Sequence, residues 1–153
     1  MARPVHIICS ASSSTDRITN QISLFQIIDK IQIRKSPEVT EGVKVFVVQE
    51  DLQIHATWMA EPEKGDTSED VFEHELRLIR PDGGISPMLS TTFKFTLADN
   101  KRFIRMTVGI PGSLPFDVPG IYSMESRIRK EGHSDWISQS CPLWVEHDDF
   151  STA

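Results

Sequence analysis

Tyrosine occurs once in these 153 residues, and cysteine only twice. The two cysteines, Cys9 and Cys141, form no Cys-x-x-Cys spacing, which excludes a zinc knuckle or a dithiol redox motif of the local kind. Two free thiols are therefore expected, on the first and last strands, where the chain ends are sometimes neighbours. Neither asparagine, Asn20 or Asn100, opens an Asn-x-Ser/Thr acceptor, which favours an intracellular chain. No apolar run approaches the ~20 residues of a membrane span. The opening Met1 to Ser10 carries one basic residue and an apolar patch broken by His6, short of a signal-peptide core. A cytoplasmic protein is expected, with no membrane partner.

Basic residues are also in deficit: 16 Lys and Arg stand against 22 Asp and Glu, for a net charge of −6. That balance argues against general affinity for nucleic acid or anionic lipid. The length suits one domain, assigned to residues 1–146, with a polar tail at 147–153.

What the chain does have is alternation. Asp117-Val118-Pro119-Gly120 leads into Ile121 to Arg129, with Tyr122, Met124, Ser126 and Ile128 on one face. Ser123, Glu125, Arg127 and Arg129 lie on the other. Period-2 alternation after Pro-Gly marks a half-buried antiparallel strand. The lone Tyr122 sits where β-sandwiches anchor a corner through the hydroxyl. Similar patterns place strands at Val5 to Cys9, Val43 to Val48, Leu52 to Trp58, Phe72 to Leu78, Phe93 to Leu97, Ile104 to Ile110 and Trp136 to Val145. The isoleucine-rich stretch from Ile22 to Ile33 reads as two short strands or one bent strand. Between Val43 and Trp58 the pattern fits two strands turning near Glu50-Asp51, or one bulged strand. Pro81-Asp82-Gly83-Gly84 reads as a turn. Pro142 suggests an edge or a bulge in the last strand. Ser10 to Asn20, Glu61 to Asp70 and Pro111 to Pro119 read as the longest loops. The expected fold is all-β: an antiparallel two-sheet β-sandwich, immunoglobulin-like or a related Greek key.

The segments Leu24 to Asp29, Leu76 to Gly83, Pro119-Gly120-Ile121-Tyr122 and Pro142-Leu143-Trp144-Val145 together resemble a widespread family of short bacterial β-sandwich proteins, a domain of unknown function. The resemblance implies a bacterial chain and a β-sandwich, and implies no activity. The stretch Glu41 to Ala60 departs from that pattern, which leaves its strand count open.

Chemistry-bearing residues are scattered. His74 shares the apolar face of Phe72, Leu76 and Leu78. It reads as a core-edge histidine held by one hydrogen bond, or, more sharply, as a ligand or base in a pocket. His6 and His55 fall on outward or mixed faces, His133 in a hairpin loop and His147 in the tail. Glu61, Glu63, Asp66, Glu69 and Asp70 form a solvated acidic loop or, alternatively, a calcium loop without EF-hand order. Glu73 and Glu75 share an outward face and suit a basic neighbouring strand. Ser12, Ser13 and Ser14 lack a nucleophile elbow, and Gly83-Gly84 lacks a phosphate-cradle sequence. Arg105, Arg127 and Arg129 make a basic patch only if their strands share a sheet. Trp58, Trp136 and Trp144 are core or edge packing, or exposed stacking platforms.

No catalytic, metal-binding or cofactor-binding residue is assigned, no cofactor is expected, and no binding residue is identified. The expected function is a non-catalytic binding or assembly module acting through loops or sheet edges, with an unknown protein partner or self-association as a homodimer. The alternative is an enzyme whose site is assembled from scattered loop residues.

Overall fold

The computed structural model describes residues 1–16, 21–34, 52–98, 102–110 and 116–148. Nine strands run through them: β1 (Arg3–Thr15), β2 (Ile22–Ile27), β3 (Lys30–Arg34), β4 (Leu52–Met59), β5 (Val71–Ile79), β6 (Ile85–Lys94), β7 (Phe103–Ile110), β8 (Gly120–Lys130) and β9 (Ile137–Asp148). A 3-10 turn, Pro62–Lys64, lies between β4 and β5. One sheet has the order β2-β1-β4-β7 and the other β3-β9-β8-β5-β6. The crossings β4 to β5, β6 to β7 and β7 to β8 pass between sheets, which makes the fold a Greek-key β-sandwich. Every pairing is antiparallel except β3 with β9, which is parallel.

The alternation in the sequence becomes the core. Phe72, Leu76 and Leu78 of β5, Tyr122, Met124 and Ile128 of β8, and Leu52, Ile54, Ala56 and Trp58 of β4 are all buried. The Tyr122 ring packs edge-on against Phe116 at 5.0 Å. Its hydroxyl donates to the Val118 carbonyl at 2.9 Å, pinning the crossover from β7 to the start of β8. This is the corner its sequence position suggested. Gly120, with φ of +142°, lets that crossover pass Pro81: a Cβ there would come within 2.9 Å of the proline ring. The Pro81–Gly84 turn forms as expected, with Gly83 at φ +84°.

Several expectations change. The Ile22 to Ile33 stretch resolves into two strands that belong to different sheets, β2 and β3. Ser10 to Thr15 is not a loop but the second half of β1, recruited into pairing by β2 (Ser10↔Ile27 to Thr15↔Ile22). The last strand is internal in its sheet and runs on to Asp148, because β3 pairs with it from Trp144 to Asp148. Pro142 nevertheless lies on a locally open stretch, since β3 reaches no further back than Trp144. The loop from Glu61 to Asp70 is tied down: Asp66 accepts from the Glu61 backbone N–H at 2.8 Å, and both side chains are largely buried. The strand expected at Val43 to Val48, the turn near Glu50-Asp51, residues 111–115 of the crossover and the end of the polar tail lie outside the described residues.

Candidate functional site

A buried polar cluster lies on the outer face of the four-stranded sheet. The pairing of β1 with β4 sets His6 opposite Thr57 and Ile8 opposite His55, and β7 adds Thr107 opposite His55. His55 Nε2 lies 2.9 Å from Ser10 Oγ and its Nδ1 lies 3.0 Å from Thr107 Oγ1. His6 Nε2 lies 3.1 Å from Thr57 Oγ1. Although they face outward, Ser10 and His55 are 0% and 1% exposed. The β1–β2 ribbon covers them. Ser13 Oγ donates to Gln53 Oε1 at 2.7 Å, and Thr15 and Ile22 line a shallow cleft of about 280 Å3 with Phe103, Ile104, Arg105 and Thr107 of β7. The ribbon therefore bends back over its own sheet, with Gln26 at φ +53° in the bend.

Ser10, His55 and Thr107 have the spacing of a nucleophile, a base and an orienting group. Burial is against that chemistry, since neither Ser10 nor His55 is open to a substrate. Ser10 Oγ donates to the Ser12 carbonyl at 3.1 Å. The arrangement that satisfies every group then has His55 Nε2–H donating to Ser10 and Nδ1 accepting from the Thr107 hydroxyl. In that arrangement Nε2 carries the hydrogen and the serine proton stays on Ser10. Burial, the His6 ring and the Arg105 guanidinium hold the His55 pKa below the usual imidazole range, and burial with Arg105 does the same for His6. The cluster is a neutral hydrogen-bonded lock between ribbon and sheet. The sequence placed His6 and His55 on outward or mixed faces but did not join them, because the signal that joins them is the β1–β4 register.

His74 lies between the sheets, 1% exposed. Its Nε2 is 2.9 Å from Ser126 Oγ, which also accepts from Trp58 Nε1–H at 3.2 Å, while Nδ1 has no hydrogen-bond partner. Burial pushes its pKa down to about 4. It is a core histidine held by one hydrogen bond, as the apolar face around it implied.

The outer face of the five-stranded sheet carries charge in register. Glu73 faces Arg129, Glu75 faces Arg127 and Arg77 faces Glu125 across the β5–β8 pair, each as an ion pair. Arg127 and Arg129 also stack over Trp136, at 4.1 and 4.6 Å from the ring centre. Arg105 belongs to the other sheet, so the three arginines form no common patch. The three tryptophans divide: Trp58 is buried, Trp136 half-buried under the arginines, and Trp144 is 55% exposed beside Ile121. In the acidic loop, Glu61 is held by Lys64 at 2.9 Å and Arg3 at 3.6 Å, and the Met1 ammonium lies 3.3 Å from Asp66. The carboxylates there are neutralised by cations of the chain itself. No cluster of three potential metal ligands exists among the described residues. Cys9 and Cys141 meet across the sandwich, their sulfurs 3.2 Å apart and unbonded.

No protein-family model matches the chain, and no curated protein matches it in sequence. Among solved structures, the CooA pilin subunit from enterotoxigenic Escherichia coli aligns over 93% of this chain and 99% of that one. The identity is 10% and the TM-score 0.36. Likeness at that level carries no implication for what this chain does.

Proposed function

We propose that the protein is a non-catalytic assembly module that self-associates through β7, an edge of its sheet among the described residues. The observation that carries this reading is the contrast between β7 and the other open edges. Among the described residues β2 has six and carries a positive φ at Gln26, and β3 has five. β6 contains Pro87 and a register shift opposite Leu76/Arg77. The open stretches of β1 and β9 contain Pro4 and Pro142. Short length, proline and irregular pairing all blunt an edge.

β7 has none of these. Its eight residues, Phe-Ile-Arg-Met-Thr-Val-Gly-Ile, include no proline or lysine and pair regularly with β4 from Phe103↔Met59 to Ile110↔Leu52. Among the described residues no strand pairs on its other side. Its inward Ile104, Met106 and Val108 stay half-buried, and Phe103 is 58% exposed. A second β7 laid antiparallel against this one continues the sheet and closes as a two-fold dimer. The burial of the Ser10–His55 pair and the internally compensated acidic loop support a non-catalytic role.

The test is sedimentation equilibrium of the whole chain against a Phe103→Lys, Gly109→Lys double variant. Both positions are exposed, and a side chain at Gly109 meets nothing within 4 Å. The wild-type chain is expected to dimerise and the variant to remain monomeric with unchanged circular dichroism. A strict monomer at high concentration, or a dimer indifferent to both lysines, refutes the reading.

A further inference from the structure

The two sheets are joined side by side at one seam. Near Ile28-Asp29 the chain crosses from β2 to β3: Ile28 N–H donates to the Cys9 carbonyl and Trp144 N–H donates to the Asp29 carbonyl, each at 2.8 Å. Beyond that crossing, β2 no longer covers β1 and β3 no longer covers β9. The uncovered halves, Arg3 to Cys9 and Ile137 to Leu143, run along the same side of the sandwich. Cys9 points inward from one and Cys141 packs against the same core cluster from the other. Their sulfurs lie 3.2 Å apart, bridging 132 positions of sequence.

We propose that Cys9 and Cys141 are a covalent modification site: a dithiol that exchanges with a low-molecular-weight disulfide and closes into an inter-sheet disulfide. Contact at 3.2 Å leaves about 1 Å of approach to a covalent bond, within the reach of small χ1 adjustments. The half-buried Cys141 is the entry point, and Cys9, 2% exposed, is the resolving thiol. The Cys9 thiol hydrogen bond lowers the pKa of Cys141, while that bond and burial raise the pKa of Cys9, which fits the same order.

In the first step, the Cys141 thiolate attacks one sulfur of the incoming disulfide. The mixed disulfide forms and one small thiolate leaves, taking up the proton Cys141 released. In the second step, Cys9 gives up its proton and its sulfur attacks the Cys141 sulfur, expelling the second small thiol. Two protein thiols become one disulfide and one external disulfide becomes two thiols, so two electrons and two protons pass to the oxidant. The bond staples the seam where the chain changes sheets.

The experiment uses oxidised glutathione as the probe on the reduced 153-residue chain. Intact mass and alkylation of remaining thiols in denaturant are the readouts. Wild type is expected to lose two hydrogens, retain no glutathione and present no alkylatable thiol. Cys9→Ala is expected to retain one glutathione on Cys141, and Cys9→Ser provides the same reading if the alanine variant fails to fold. A wild-type chain that keeps glutathione, keeps two free thiols, or links to a second chain overturns the assignment.

Discussion

His74 makes the stability of the sandwich depend on pH in a defined window. Its imidazole is buried between the sheets, and burial, only partly offset by the Glu75 charge, pushes its pKa from 6.5 to about 4. In the unfolded chain the group titrates near its ordinary value. Between those two values the unfolded chain binds a proton that the folded chain refuses. Stability is therefore fully present above the unfolded value, falls as pH drops through the window, and levels once the folded value is passed. At ~1.4 kcal/mol per unit, the loss across the window is about 3 kcal/mol. His6 and His55, whose pKa values are also lowered, add to the fall in the same direction. His74→Leu isolates the one contribution, because Trp58 still donates to Ser126. Urea unfolding from about pH 7 to about pH 4.5 should show the wild type losing stability more steeply than the variant, with common carboxylate effects cancelling in the difference. Parallel pH profiles within about 0.5 kcal/mol, or an NMR titration of His74 near its ordinary value, would refute the reasoning.

Other substitutions read other parts of the fold. Tyr122→Phe removes the hydroxyl that holds the Val118 carbonyl and should cost about 1–2 kcal/mol in denaturant unfolding; a change of a few tenths would dismiss the corner as a stabilising contact. Gly120→Ala forces a Cβ onto Pro81 at positive φ and should lower the thermal midpoint clearly, by about 1 kcal/mol or more in stability. Gln26→Gly should be neutral or raise stability by up to about 1 kcal/mol, since it relieves the only positive φ at a non-glycine described residue; a marked loss would place a needed contact on that side chain.

The sequence carried the strands whose faces differ in polarity. Tyr122, Met124, Ser126 and Ile128 alternate with charged and polar neighbours, and so do Phe72 to Leu78, so both strands and their buried faces were readable. The second half of β1 was not readable. Ser12, Ser13, Ser14 and Thr15 have no apolar period, and they are strand because the isoleucine-rich β2 pairs with them. The parallel β3–β9 pairing was hidden for a related reason: no local signal links Lys30 to Trp144 across more than a hundred positions. The same limit applies to the outward polar cluster. His6, Ser10, His55 and Thr107 belong to three strands, and only the register of those strands makes them neighbours. The two cysteines could be placed on end strands from sequence, but their contact depends on where β2 and β3 stop covering their partners.

Hydrogen–deuterium exchange at low and high protein concentration tests the proposed assembly most directly. Pairing of β7 with a second β7 predicts that backbone amides within Phe103–Ile110 gain protection as concentration rises, while those of the β6 edge, Ile85–Lys94, do not. Exchange in β7 that stays the same at every concentration would contradict it.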